Sequence, residues 1–140
     1  MTAARTPVAA LQGALAAEHA AVYGYGVVGA VLAGPGQADA RADWTAHQVA
    51  RDSLVALLAK LGATPVAASP AYALPFAVTS AKSAARLAAA LENGVTRAYL
   101  GLVAVSDPAL RAFAAQAMQA SANRATAWSG ATTAFPGMPG

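Results

Sequence analysis

The sequence predicts an all-α fold, a bundle of four long helices in which one long connection joins the second helix to the third. Alanine supplies much of the 57% of hydrophobic residues, and alanine is the strongest helix former. Along four stretches of the chain, apolar residues recur at alternating spacings of three and four, which is typical of one helix face. The chain of 140 residues has the length of one domain, so residues 1–140 are predicted to form a single bundle.

The first helix is predicted to begin at Thr6 and Pro7, a capping residue followed by a first-turn proline, and to stop at Gly34 and Pro35. Its apolar stripe contains one carboxylate, Glu18. A lone buried carboxylate is costly, so another part of the chain is expected to neutralise it. The inward-facing positions of this helix are Val8, Leu11, Leu15, Glu18, Val22, Tyr25, Gly29 and Leu32.

Three glycines in the same helix, Gly24, Gly26 and Gly29, form the sequence GYGVVG, which has the spacing of a dinucleotide-binding fingerprint. That fingerprint requires a preceding strand and a helix that begins at the glycines. Here the glycines lie inside a helical pattern. We therefore interpret them as small residues that allow close helix packing.

The second helix is predicted to begin between Pro35 and Ala40 and to end just before Gly62, which acts as its C-terminal cap. Two polar residues, His47 and Arg51, fall on its apolar side. The inward-facing positions are Trp44, His47, Arg51, Leu54, Leu58 and Leu61.

The third helix is predicted to be capped by Thr79 or Ser80, and the fourth to open at Asp107 and Pro108. A second carboxylate, Glu92, falls in the middle of the third helix. The inward-facing positions of the third helix are Leu87, Ala88, Leu91, Glu92, Val95, Tyr99 and Leu102. Those of the fourth helix are Leu110, Phe113, Ala117, Ser121, Arg124 and Trp128.

Residues 62–79 form a long connection with three prolines, too many for a helix. This connection can span up to about 59 Å, enough to follow a helix of about 25 residues and start the third helix at the same end as the second. Short connections at 34–37 and 106–107 make two antiparallel hairpins, so the chain is predicted to contain one crossover. The tail at residues 133–140 is rich in Pro and Gly and is not predicted to be helical.

Under this topology, a set of polar side chains is predicted to meet at one height in the centre of the bundle. They are Glu18, His47, Arg51, Glu92 and Arg124. Two carboxylates, two guanidinium groups and an imidazole would neutralise one another and share hydrogen bonds. The prediction is therefore a metal-free cluster of buried ion pairs.

With these features, the chain resembles the ferritin-like superfamily, and in particular a branch known only as a domain of unknown function. The resemblance rests on EHAAVYGYGVVGA in the first helix, HQVARDSLVALLAKLGATP at the end of the second, YALPF in the connection, LAAALENGVTRAY in the third helix and the terminal TAFPG. It implies a ferritin-like four-helix bundle with one long crossover. Active members of the superfamily hold two iron or manganese ions between Glu residues on the first and third helices and Glu-x-x-His motifs on the second and fourth.

Measured against that pattern, the sequence retains only the first pair of ligands, Glu18 and Glu92. His47 stands where the resemblance places the Glu of the second helix, and Ala50 stands where it places the His. The corresponding segment of the fourth helix, SANRATAW, offers no carboxylate or imidazole. Arginines in the same space would repel divalent cations, so the metal site is interpreted as vestigial and no cofactor is expected.

The predicted function is that of a non-enzymatic module that binds a small ligand or another protein. The alternative is an iron- or manganese-dependent oxidoreductase with a reduced metal site formed by Glu18, His47 and Glu92. Three protein ligands suffice for a weak metal site, so this alternative remains open.

The predicted partner is a second copy of the chain. With only 11% charged residues, the surface must expose apolar helix faces, which predicts a homodimer. The nine Lys and Arg residues are scattered singly, which argues against nucleic-acid binding, and no apolar run reaches the ~20 residues of a membrane span. The chain has no cysteine, and the cytoplasm is its default location, while a secretory signal within the first 17 residues is kept as an alternative.

Overall fold

The computed structural model describes residues 6–130, so the predicted tail at 133–140 lies outside the described residues. The helices are α1 (Pro7–Val31), α2 (Gly34–Lys60), α3 (Ala81–Val103) and α4 (Pro108–Ser129). No strand occurs between residues 6 and 130, and the all-α prediction is confirmed. None of the helices in this part of the chain is both long and apolar enough to cross a membrane.

Local capping determines where three of the helices begin. The Thr6 hydroxyl accepts a hydrogen bond from the backbone N–H of Ala9 at 3.3 Å, and the Ser80 hydroxyl caps α3 in the same way. The Asp107 carboxylate accepts the N–H of Ala109 at 2.8 Å. These side chains satisfy N–H groups that have no partner inside the first turn of a helix.

The turn between α1 and α2 is shorter than predicted and lies earlier in the chain. The prediction placed the connection at 34–37, whereas α1 ends at Val31 and α2 already begins at Gly34, which has a φ of +59°. Pro35 lies in the first turn of α2, where its missing N–H costs no hydrogen bond. This proline therefore starts α2 instead of ending α1.

Two apolar clusters fill the bundle, one on each side of its centre. The first cluster includes Leu11 and Leu15 of α1, Leu54 and Leu58 of α2, Val95, Tyr99 and Leu102 of α3, and Leu110 and Ala114 of α4. The second includes Tyr25 and Val28 of α1, Ala40 of α2 and Ala84, Leu87 and Ala88 of α3, with Trp44 and Trp128 packed against it. Early residues of α2 and α3 share one cluster and later residues share the other, so these two helices run in the same direction.

The segment between α2 and α3 lies along α1. The Gln12 side chain donates to the carbonyl of Thr64 and accepts the N–H of Val66, both at 2.8 Å. Further along α1, the ring of Tyr23 contacts the ring of Tyr72 at a centroid distance of 5.5 Å. Three apolar residues near the end of the segment pack against the second cluster: Leu74, Phe76 and Val78. The contacts advance along α1 as the segment advances, which explains how a proline-rich stretch is held in place.

The helices do not contact one another equally. Extended interfaces join α1 to α2, α1 to α3, and α3 to α4. Within residues 6–130, α2 and α4 share no comparable interface. The backbones of α2 and α4 therefore lie further apart than those of the three contacting pairs.

Among the glycines of α1, Gly24 packs most closely against α3. A Cβ atom at Gly24 would overlap the side chain of Leu91, whereas a Cβ at Gly26 would meet no heavy atom within 4 Å. Gly26→Ala is expected to stabilise the protein by about 0.5–1 kcal/mol through helix propensity. Gly24→Ala must displace Leu91, and is expected to be about 1–3 kcal/mol less stable than Gly26→Ala in urea denaturation. Equal stabilities of the two variants would contradict this account of the GYGVVG segment.

Candidate functional site

The centre of the bundle holds an imidazole ring between two carboxylates. Glu18, His47 and Glu92 lie near the middle of α1, α2 and α3, and all three are buried. Nδ1 of His47 lies 2.6 Å from Oε2 of Glu18, and Nε2 lies 2.8 Å from both carboxylate oxygens of Glu92. The ring therefore joins α2 to both of its neighbouring helices.

Two tyrosines complete the hydrogen bonding of these carboxylates. The hydroxyl of Tyr99 donates to Oε1 of Glu18 at 2.8 Å, and the hydroxyl of Tyr25 donates to Oε2 of Glu92 at 3.1 Å. Each tyrosine follows the glutamate of its own helix by seven residues and bonds to the glutamate of the other helix. We call these five residues, Glu18, Tyr25, His47, Glu92 and Tyr99, the central cluster.

The hydrogen bonds of His47 favour its charged form. Both ring nitrogens face carboxylates, and only the protonated imidazole can donate from both. Burial lowers the pKa of His47, but the hydrogen bonds and negative charges of Glu18 and Glu92 outweigh burial and raise the pKa to about 9. His47 is therefore a cation near neutral pH, and it partly neutralises the two glutamates.

Burial and the neighbouring carboxylates raise the pKa values of both tyrosines, Tyr25 and Tyr99. These tyrosines therefore remain hydroxyl donors under all ordinary conditions. The ring of Tyr25 also stacks on the imidazole of His47, with centroids 5.4 Å apart. The central cluster is thus saturated with hydrogen bonds, and no buried side-chain N or O atom in the described part of the chain lacks a partner.

A second layer of polar residues lies between the central cluster and the gap separating α2 from α4. Nε1 of Trp128 donates to Oδ2 of Asp43 at 2.8 Å. Arg124 is an edge member of this layer, with Nε 3.7 Å from Oδ1 of Asp43 and Nη1 3.7 Å from Oε1 of Glu92. The pKa of Asp43 is raised above its usual value, because burial, its largest cause, outweighs the hydrogen bond from Trp128, which lowers the pKa.

Of the residues predicted for the site, the structure brings together Glu18, His47 and Glu92, with Arg124 beside them.

The sequence reasoning did not include Asp43 or the two tyrosines among the site residues. Their signal was present in the spacing, because Asp43 precedes His47 by one helical turn and each tyrosine follows a central glutamate by two turns. Residues at these spacings lie on one helix face. Polar groups that share a face with a buried charge are therefore candidates for bonding to it.

The second layer borders a cavity of about 460 Å³ between α2 and α4. We call it the α2–α4 cavity. Its lining consists of Asp39, Ala42, Asp43, Asn123, Arg124, Ala127 and Trp128. Another cavity of about 390 Å³ lies between α1 and α2, lined by Tyr25, Gly26, Gly29, Gln37, Arg41 and Trp44. Asp43 and Arg124, which contact the central cluster from outside, line the α2–α4 cavity and not the other one.

Comparisons with known proteins place the chain in a family. The family model described as "Domain of unknown function (DUF4439)" matches residues 10–140. The chain belongs to this family. A solved structure of a conserved hypothetical protein, rv2844, from Mycobacterium tuberculosis is similar, with 38% identity and a TM-score of 0.83 over 86% of this chain and 92% of that chain. No curated protein sequence matches the chain.

In this DUF4439 chain, His47 contacts both other residues of the predicted metal site, Glu18 and Glu92. The two nitrogens of His47 face opposite ways along the ring, one toward Glu18 and the other toward Glu92, so the donors do not converge on one point. Between residues 6 and 130, no group of three or more His, Cys, Asp or Glu side chains is arranged to hold a metal ion. These donors, as they are placed, do not fit an iron or manganese ion.

The prediction that Arg51 belongs to the buried polar cluster is corrected by the structure. Its Nε donates to Oδ1 of the adjacent Asp52 at 3.0 Å, and its side chain is 29% exposed. The buried residues of α2 are Ala40, His47, Leu54 and Leu58, which lie within an arc of about 40° around the helix. Arg51, four residues after His47, lies about 40° from His47 around the helix and just outside this arc, on the side toward solvent.

Arg51→Leu is expected to change the free energy of unfolding of this DUF4439 chain by no more than about 1 kcal/mol, because exposed ion pairs contribute little. Urea denaturation near neutral pH measures the change. Asp52→Ala, which removes the partner carboxylate, is the matched control and is expected to be equally mild. A loss of several kcal/mol in Arg51→Leu alone would contradict this correction and support the predicted buried ion pairs of Arg51.

Proposed function

We propose that this protein is a ferritin-like bundle in which a protonated histidine has replaced the metal ions, and that it works as a non-enzymatic module binding a small polar ligand. One observation carries the proposal: His47 lies between Glu18 and Glu92 with both ring nitrogens bonded to carboxylates. An imidazolium in this position supplies the positive charge that metals supply elsewhere. The two glutamates then need no ion to remain buried.

The ferritin-like part of the proposal is supported by the course of the chain. Helices α2 and α3 run in the same direction, and the proline-rich segment between them follows the length of α1. A single long crossover of this kind is the connection expected of a ferritin-like bundle. We propose that residues 1–140 form one such domain, with the crossover at about 62–79.

The binding part of the proposal rests on the α2–α4 cavity. Ligand cavities commonly have volumes of about 300–1,000 Å³ and contain a few polar groups that orient the ligand. The α2–α4 cavity has a volume of about 460 Å³ and presents Asp43, Arg124 and the indole of Trp128. It lies directly outside the central cluster, so the charges of the cluster act on any bound molecule.

Metal analysis separates this proposal from the alternative, an iron- or manganese-dependent oxidoreductase that uses Glu18, His47 and Glu92. The protein is expressed with iron or manganese supplied, purified, analysed for metal, and melted with and without a chelator. We expect only trace metal and the same melting temperature in both conditions. Near-stoichiometric metal together with a lower melting temperature in chelator would favour the oxidoreductase.

Ligand binding is tested by recording the indole N–H resonances of the two tryptophans during a screen of small fragments. Trp128 lines the α2–α4 cavity and Trp44 lines the other cavity, so the resonance that shifts more shows which cavity is occupied. We expect at least one fragment to shift the Trp128 resonance saturably and to lose this effect in Arg124→Leu. A screen that leaves the Trp128 resonance unchanged would refute the binding function.

We also propose that the protein is a cytoplasmic homodimer. Support for self-association comes from large apolar side chains exposed within residues 6–130: Val49, Leu61, Val66 and Val103. Val49, on the outer side of α2, is 61% exposed. Light scattering at micromolar concentration is expected to give the mass of two chains, and Val49→Asp to lower it. A monomeric mass for the parent protein would contradict the proposal.

A further inference from the structure

The α2–α4 cavity has walls of opposite charge. Asp39 and Asp43 of α2 line one side, and Asn123 and Arg124 of α4 line the other. The indole of Trp128 forms part of the same lining. A ligand that spans the gap would therefore meet acceptors on one helix and donors on the other.

Arg124 retains donors that the protein does not use. Its ion pairs with Asp43 and Glu92 are both 3.7 Å long, beyond the ~3.2 Å limit of an ordinary N–H···O hydrogen bond. Its side chain is 25% exposed. Every buried side-chain nitrogen in the described residues has a hydrogen-bond partner, so the nitrogens of Arg124 that make no hydrogen bond are not buried. Their N–H groups are therefore reachable from the cavity. A carboxylate could accept two of them in a fork geometry.

A simple anion is nevertheless a poor match for the charges around the cavity. Two carboxylates, Asp39 and Asp43, line it, and the carboxylate of Glu92 lies behind Arg124, 3.7 Å from its Nη1. Two cations, Arg124 and the protonated His47, oppose these three carboxylates, which leaves a formal surplus of one negative charge. A ligand with a carboxylate must therefore also carry a positive group.

We propose that the α2–α4 cavity binds a small zwitterion of the amino-acid class, with its carboxylate on the fork of Arg124 and its ammonium group against Asp39 and Asp43. The inference rests on the proposed binding function and names its ligand class. The indole of Trp128 packs against the remainder of the molecule. Because of the surplus negative charge, a cationic amino acid binds more tightly than a neutral one, and an acidic one binds weakest.

The experiment follows the Trp128 indole resonance at constant ionic strength while one compound is added at a time. The compounds are L-lysine, L-leucine and L-glutamate, with acetate and ethylammonium as the separate halves of a zwitterion. We expect lysine to saturate the shift at the lowest concentration, followed by leucine and then glutamate. Each half alone is expected to bind at least about tenfold more weakly than leucine, because it makes only one of the two charged contacts.

Matched variants assign the charged contacts. Arg124→Leu is expected to weaken leucine binding at least about tenfold, and Arg124→Lys to weaken it less, since lysine keeps the charge but loses the fork. Asp39→Asn, at an exposed position, is expected to weaken lysine more than acetate. Arg41→Leu removes the same charge from the lining of the other cavity, and it is expected to leave all affinities unchanged.

Two kinds of result would overturn the inference. The first kind concerns the parent protein: no saturable shift with any of the three amino acids, binding of acetate as tight as that of leucine, or tighter binding of glutamate than of lysine. The second kind concerns the variants: an equal loss of binding in Arg41→Leu and Arg124→Leu. If the fragment screen finds other ligands that shift Trp128 while the amino acids do not, the binding function survives and only the zwitterion is refuted.

Discussion

Replacing His47 with leucine is expected to lower the free energy of unfolding by roughly 3–5 kcal/mol near neutral pH, because it leaves two buried carboxylates without the cation between them. Glu18 and Glu92 are 1% and 0% exposed, so solvent cannot take over the role of His47. The hydrogen bonds to both ring nitrogens would be lost, and nothing in the centre of the bundle would replace them. Urea denaturation of the parent and His47→Leu measures the difference.

The other histidine provides the matched control. His19 is only partly buried and contacts the carbonyl of Val66 at 2.9 Å, with no carboxylate among its hydrogen-bond partners in the described residues, so His19→Leu is expected to cost far less than His47→Leu. A compensated variant, Glu18→Gln with His47→Leu and Glu92→Gln, removes all three charges but keeps oxygen acceptors for the two tyrosines. It should recover most of the lost stability. Equal losses in His19→Leu and His47→Leu, or no recovery in the compensated variant, would contradict the ion-pair interpretation.

Stability is expected to fall as the pH rises from 6.5 to beyond 9. The pKa of His47 is raised from 6.5 to about 9 in the folded protein, so the folded state holds this proton more tightly than the unfolded state does. The resulting stabilisation is fully present below pH 6.5 and is lost as the pH rises through about 9. Over that interval the loss is about 3 kcal/mol, at about 1.4 kcal/mol per pH unit.

Urea denaturation at a series of pH values tests this expectation, with the compensated variant measured in parallel. That variant lacks His47 and the two carboxylates that hold its proton but retains every other titrating group, so the difference between the two curves reports on this proton. Tyr25 and Tyr99 do not contribute in this interval, because a tyrosine in the unfolded chain titrates near pH 10, and burial and the nearby carboxylates raise the pKa values of both further in the folded state, so both states keep these protons. A parent protein whose stability rises between pH 6.5 and 9, or a variant with the same slope, would contradict the assignment.

The helix ends are the part of the fold that short stretches of sequence predict well. Thr6 with Pro7 and Asp107 with Pro108 start helices where expected, because a capping side chain bonds to backbone groups only two or three residues away. The turn between α1 and α2 was misplaced for a related reason. Gly34 and Pro35 can either end one helix or begin the next, and only the packing of the two helices decides between these roles.

The candidate site shows the same division between local and tertiary information. The sequence by itself determined that Glu18 and Glu92 lie on the buried stripes of their helices. It also determined that a cation must neutralise them, since a lone buried carboxylate is too costly. It did not determine which cation. His47 and Arg51 are four residues apart and both fall on the apolar side of α2, so the sequence pattern treats them alike.

The tertiary structure decided between these two cations through the rotation of α2 against α1 and α3. A rotation of about 40° separates His47 from Arg51 around the helix axis, and it places the imidazole between the glutamates and the guanidinium beside Asp52 at the surface. The tertiary structure also decided the partners of the two tyrosines, because each hydroxyl donates a hydrogen bond to the glutamate of the other helix, α1 or α3. Such pairings depend on how the helices are set against each other, and no spacing within a single helix contains that information.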